Sequence, residues 1–239
     1  MSRDERSGEG YFNEPNLSLI SELQAPLLGI AANARVASSK LSADDEKIRQ
    51  YLDAIEFSSQ NLVRTIDILL RSRDVSGGVL GLEIEPLHVG LRVEEAISKL
   101  APLCRAQAQI FDFKSRKNLV VSANNDCLEL VVYHILEQAL RSSAPEEIVG
   151  VELSASGQMA KLSVKAAGSR ERASNLRNAI KRAFSGMESK ESQKFGVNFS
   201  LVASARLIRI MGGDLSISQR KDGFSFNIRF PLSMQSELF

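Results

Sequence analysis

Imidazole and thiol side chains are sparse in this chain: two histidines, His88 and His134, and two cysteines, Cys104 and Cys127. The cysteines lie in separate segments and lack the local pairing of a metal knuckle or a dithiol redox motif, so both are read as small core residues. His88 follows an apolar run at Leu82 to Leu87 and is expected at the surface. A basic stretch carries Arg170, Arg172, Arg177, Lys181 and Arg182, which could meet an acidic partner or an anionic ligand. Ala173, Leu176, Ile180 and Phe184 recur through it at helical spacing, and the plainer expectation is the solvated face of an amphipathic helix.

The bulk numbers exclude several classes. Lysine plus arginine (30) nearly balances aspartate plus glutamate (29), so no global field attracts nucleic acid or an anionic membrane. No apolar run approaches the ~20 residues of a membrane span, and the polar start has no signal-peptide apolar region. A cytoplasmic protein without a membrane sensor is expected. At 239 residues there is room for two modest domains.

Residues 1–16 are polar and aperiodic, a flexible N-terminal tail. Ile20, Leu23, Leu27, Ile30 and Ala34 then alternate steps of three and four, and after a polar turn Ile48, Leu52, Ile55, Ser59, Leu62, Ile66 and Leu69 do the same. Two such helices form a hairpin over 17–75 with one apolar face, which dimerisation into a four-helix bundle would bury. Ser76, Gly77, Gly78 and Gly81 break the helix and mark a boundary. Over 82–233 the pattern predicts a strand ending near Pro86, a helix, strands at 111–115 and 118–123, and a buried helix from Asp126 to Ser143. A strand hairpin turning at 156–158, the basic helix, a helix at 201–210 and two closing strands follow. The fold class is α+β: a helical hairpin, then an α/β sandwich with helices on one face of one sheet.

Within the first helix, Ile20-Ser21-Glu22-Leu23-Gln24-Ala25-Pro26-Leu27 resembles the phosphoacceptor box of sensor histidine kinases, with Ser21 in place of the histidine. Glu85-Pro86-Leu87 and the helix holding residues 96–103 resemble that family in order. His134 to Arg141 resembles its asparagine box with both asparagines replaced, by His134 and Gln138. Ala166-Ala167-Gly168 resembles the aspartate–glycine box, keeping one glycine. Gly196, Asn198 and Ser200 fall in the second glycine box, and Gly212-Gly213 fits before a strand. The resemblance covers about residues 17–232 and implies the histidine-kinase ATPase type of sandwich.

It also implies lost chemistry. Serine has a hydroxyl pKa far above 7 and needs a base such as the adjacent Glu22. The methyl of Ala166 cannot accept the adenine amino group's hydrogen bond, a loss of roughly 1.5–3 kcal/mol. Gln138 offers an amide oxygen on a longer stem than magnesium geometry favours, and Asn198 and Ser200 crowd a cradle built for glycine. No catalytic residue is intact, no cofactor or metal is expected, and binding of ATP with magnesium is expected to be weak or absent. His134, Gln138, Arg141, Ala166, Gly168, Gly196, Asn198 and Ser200 are the nucleotide-site remnants. His134 is expected to be a satisfied, half-buried ring facing that remnant, against a contact to phosphate or another ligand. The expected function is a pseudo-histidine kinase of two-component signalling: a homodimeric scaffold binding a response-regulator receiver domain or another histidine kinase near Ser21, Gln24 and Leu28. The alternative is a divergent ATP-dependent kinase with Ser21 or His134 as acceptor.

Overall fold

Steps of three and four along the first seventy positions fold into two antiparallel helices. In the computed structural model, which describes residues 23–42, 45–71, 82–115, 118–185 and 199–233, α1 spans Gln24–Ser39 and α2 spans Glu46–Arg71. The two meet through small side chains: Ala31, Ala34 and Ser38 of α1 are buried. Polar rungs fix their register, from Gln24 Nε2 donating to Asp67 Oδ1 at 2.7 Å, through the Arg35–Glu56 ion pair, to Ser38 Oγ donating to Asp53 Oδ1 at 2.9 Å. Arg49 closes the end of α1 by donating to the carbonyls of Ser38, Leu41 and Ser42. The predicted stripe on α1 divides: Ala34 faces inward, whereas Leu23 and Ile30 stay exposed. Ile48 and Ile55 of the second seam are likewise exposed, while Ser59 and Ile66 are buried.

The sandwich contains β1 (Glu85–His88), α3 (Val89–Ala106), β2 (Ile110–Ser115), β3 (Val120–Ala123), α4 (Asn125–Ser142), β4 (Ile148–Ser156), β5 (Met159–Ala166), α5 (Arg170–Ser185), α6 (Phe199–Ile210), β6 (Asp214–Arg220) and β7 (Gly223–Pro231). Its five-stranded sheet has the order β2-β4-β5-β7-β6, with β2 and β4 parallel and the remaining pairs antiparallel. Strict alternation puts Val149, Val151, Leu153, Leu162, Val164, Phe226 and Ile228 into the core. The β4–β5 hairpin turns at Gly157, whose φ of +59° suits glycine.

The expectation of one sheet needs correcting. β1 and β3 pair with each other as a separate antiparallel ribbon, tied to the end of the main sheet by the Val121–Leu232 bridge. Pro86 has no N–H to give a ladder, which suits a short edge strand, and that strand runs on to His88 instead of ending at the proline. His88 is exposed, its Nδ1 2.9 Å from Asn118 Oδ1. Both cysteines are buried, and burial pushes the Cys127 thiol up to about 12.

α4, the most buried helix, is fixed at both ends. The Asn124 side chain accepts from Cys127 N–H at 3.1 Å, an N-cap. At the other end the buried amide of Gln109 donates to the carbonyls of Leu140, Ser143 and Ala144 at 3.2, 3.2 and 2.8 Å. Among the described residues, no helix is long and apolar enough to cross a membrane.

Candidate functional site

α4 carries three of the remnant residues, and its capping settles where each side chain goes. His134 is only 3% exposed, with Nδ1 3.4 Å from Ser204 Oγ on α6 and its ring edge-on to Tyr133 at 5.9 Å. Burial pushes the ring down to about 4, so it is neutral at pH 7. This corrects the half-buried ring facing a pocket: α4 packs directly on α6, and the small Ser204 lets the imidazole into their interface. Gln138, one turn further along, is half-buried, and its backbone carbonyl accepts the Ser142 hydroxyl at 2.7 Å. Arg141 is exposed and grips Glu137 Oε1 through Nη2 at 2.9 Å and Nε at 3.2 Å, a surface pair four residues apart.

Opposite the end of α4 lies the connection from β5 to α5. Ala166 is 3% exposed and in register with Phe224 of β7. Phe224 is fully buried, edge-on to Phe226 with ring centroids 5.3 Å apart. Its ring explains the glycine that follows: a Cβ on Gly168 would come within 2.5 Å of Phe224 Cε1 and 3.1 Å of the Ser142 carbonyl oxygen. The Ala167 N–H donates to Ser143 Oγ at 3.1 Å, which pins the connection to α4. Ser200 is half-buried in the first turn of α6, one turn before Ser204.

Gln138, Arg141, Ala166 and Gly168 thus gather at one end of α4, and His134 links that helix to the α6 that carries Ser200. Ser21, Glu22, Gly196 and Asn198 lie outside the described residues, as do the N-terminal tail and the glycine break. Gln24 and Leu28 sit apart on the hairpin. Leu28 is exposed, but Gln24 is half-buried and donates its amide to Asp67, which corrects the expectation of a free surface there. On α5, Ala173, Leu176 and Ile180 are buried and Arg170, Arg172 and Lys181 are exposed, the expected amphipathic helix. A surface cleft of about 570 Å³ lined by Ile180, Lys181, Ala205, Arg209, Gly213, Asp214 and Leu215 includes none of the remnant residues. Among the described residues no three His, Cys, Asp or Glu side chains gather in a metal-binding group. Phe224, Ser204 and Gln109 were not singled out by sequence. Strand alternation shows that Phe224 points inward but not that it faces position 168.

A helix buried between a mixed sheet and a second helix, with its C-terminal end against the loop after β5, can be compared with known folds. Residues 123–234 match the family described as histidine kinase-, DNA gyrase B-, and HSP90-like ATPase. That segment is similar to ATPase domains of the histidine-kinase type. The cell-division control histidine kinase PdhS of Brucella ovis is 26% identical to the chain over 141 residues, 56% of this chain. The match spans about 13% of that relative's length. Among solved structures, full-length ShkA in complex with AMPPNP superimposes with a TM-score of 0.60 at 17% identity, over 93% of this chain and 46% of that one. Histidine kinase AdeS of Acinetobacter baumannii gives 0.56 at 14% identity, over 89% and 98%. The catalytic domain of histidine kinase ThkA gives 0.52 at 17%, over 63% and 96%. Identities this low establish the fold, a helical hairpin followed by the ATPase-type sandwich, and the fold alone.

Proposed function

We propose that the chain is a pseudo-histidine kinase: a cytoplasmic, homodimeric scaffold that acts in two-component signalling by binding a receiver domain or another histidine kinase, without phosphotransfer. The observation that carries this reading is the packing of Phe224 on Ala166 and Gly168. The position that resembles the adenine-reading aspartate holds a buried methyl against an aromatic ring, so the residues present do not fit a magnesium–nucleotide complex. His134, at an asparagine position, is neutral and turned toward Ser204. The domain division proposed is 17–75 for the hairpin and 82–233 for the sandwich.

Dimerisation is supported by the large apolar side chains that one hairpin leaves in water: Ile30 and Val36 on α1 with Ile48, Tyr51 and Ile55 on α2. Five such residues on two adjacent helices exceed the scattered exposure of an ordinary surface. The exposed Leu28 marks the face proposed for the receiver domain.

Titration with a fluorescent ATP analogue, with and without magnesium, tests the reading alongside sedimentation of the same sample. The expected result is a dimer with no saturable binding below about 1 mM, an affinity worth only about 4 kcal/mol. Magnesium-dependent saturation in the micromolar range would reverse it.

A further inference from the structure

One face of α2 carries Phe57, Arg64 and Ile68, spaced seven and four, and all three are engaged with the sandwich. Phe57 lies edge-on to Tyr133 of α4 with ring centroids 5.0 Å apart. Two turns along α2, Arg64 reaches Asp126 Oδ1 and Glu129 Oε1 on α4, each at 3.2 Å. Lys99 of α3 donates to the same Glu129 oxygen at 2.7 Å. Ile68 joins the sandwich's own core cluster. On α4 the partners Asp126, Glu129 and Tyr133 are spaced three and four, so two helical stripes run antiparallel with matching residues.

We propose that this stripe is a fixed joint that makes hairpin and sandwich one body, and that Arg64 is the residue that holds it. The apolar part of the contact is small, and small interdomain contacts ordinarily permit relative motion. The charges change that balance because the Glu129 side chain is only 18% exposed. Burial alone would raise the Glu129 carboxyl, yet Lys99 and Arg64 outweigh it and hold the group below the ordinary carboxylate range. Without Arg64, Glu129 keeps only Lys99 of α3, and the partly desolvated carboxylate loses the one cation that α2 supplies, a costly loss for a buried charge. A transfer reaction from sandwich to hairpin would need donor and acceptor within ~3–3.5 Å. A chain that only binds needs no such travel, and a fixed joint presents hairpin and sandwich as one composite surface. The joint does not depend on the nucleotide reading, since distance and nucleotide affinity are separate measurements.

The test is a spin-label distance across the joint in the full chain, with Lys40→Cys in the hairpin turn and Gln158→Cys in the β4–β5 turn, diluted with excess unlabelled protein. Cys104 and Cys127 are buried and leave labelling to the introduced sites. The parent is expected to give one narrow distance at low salt. Arg64→Gln with Lys99→Gln is expected to shift the docked-to-undocked ratio by on the order of tenfold and broaden the distribution. Glu129→Gln, nearly isosteric, is the second variant should the first fail to fold, and the same broadening is expected. A parent that is already broad, or a folded variant that keeps the parent's single peak, overturns the proposal.

Discussion

Placing a carboxylate at position 166, by Ala166→Asp, will cost about 3–5 kcal/mol of folding stability and will not create magnesium-dependent nucleotide binding. Ala166 is 3% exposed, opposite the fully buried Phe224, and the next residues are pinned by the Ala167–Ser143 hydrogen bond. An aspartate there meets an aromatic ring where a ligand's amino group would have to be, so its charge is desolvated without compensation. Removing the ring does not rescue the site cheaply, because Phe224→Ala empties a core position at a cost of about 3–5 kcal/mol. The two sites touch, so the double variant Ala166→Asp with Phe224→Ala should be less destabilised than the sum of its parts. Urea unfolding of the single and double variants checks this. An Ala166→Asp protein as stable as its parent, and newly able to bind ATP with magnesium, would show that the pocket is open and lacks only its aspartate.

The second large effect is acid sensitivity at His134. In the unfolded chain an imidazole takes up its proton near pH 6.5, whereas in the folded protein burial delays uptake to about 4. Between those values the unfolded state binds more protons, so stability rises with pH. The contribution is fully present above ~6.5, is lost as pH falls toward 4, and changes no further below that, a span on the order of 3 kcal/mol. Carboxylates titrate at the lower edge of the same window, so the comparison must be made against His134→Asn, which removes this group's share. Urea midpoints at pH 7 and pH 4.5 should fall further in the parent than in the variant. Equal falls would mean that the ring is protonated inside the fold, against its contact with Ser204.

Much of the architecture is legible in residue spacing, for reasons that also explain the misses. Alternation in β4, β5 and β7 reflects one-sided burial, which each strand expresses by itself, whereas the three-four seams of α1 and α2 mark the helices but leave Ile30, Ile48 and Ile55 exposed. The division of the sheet does not follow from such local patterns: β3 alternates equally well in either sheet, and only its pairing with the proline-containing β1 sets it apart. At the candidate site, sequence located Ala166, Gly168 and Gln138 by resemblance, and the structure brings them to one end of α4. It could not locate what stands opposite them. Phe224 is 58 positions from Ala166, and Ser204 is 70 positions from His134, so both contacts are products of packing α4, α6 and β7 together. The same holds for Arg64 and Glu129. Each reads as an ordinary surface charge on its own helix, and only their meeting, 65 residues apart in sequence, gives either a role.

On the proposed function, phosphate has neither a grip in the sandwich nor a landing place on the hairpin. The most direct measurement is incubation of the full chain with γ-labelled ATP and magnesium, alongside Ser21→Ala and His134→Asn, with the protein then split between acid and alkaline treatment. No label above a heat-denatured control is expected in any of the three. Label that accumulates with time in the parent and disappears in one variant, acid-stable for a serine or acid-labile for a histidine, would contradict it and name the acceptor.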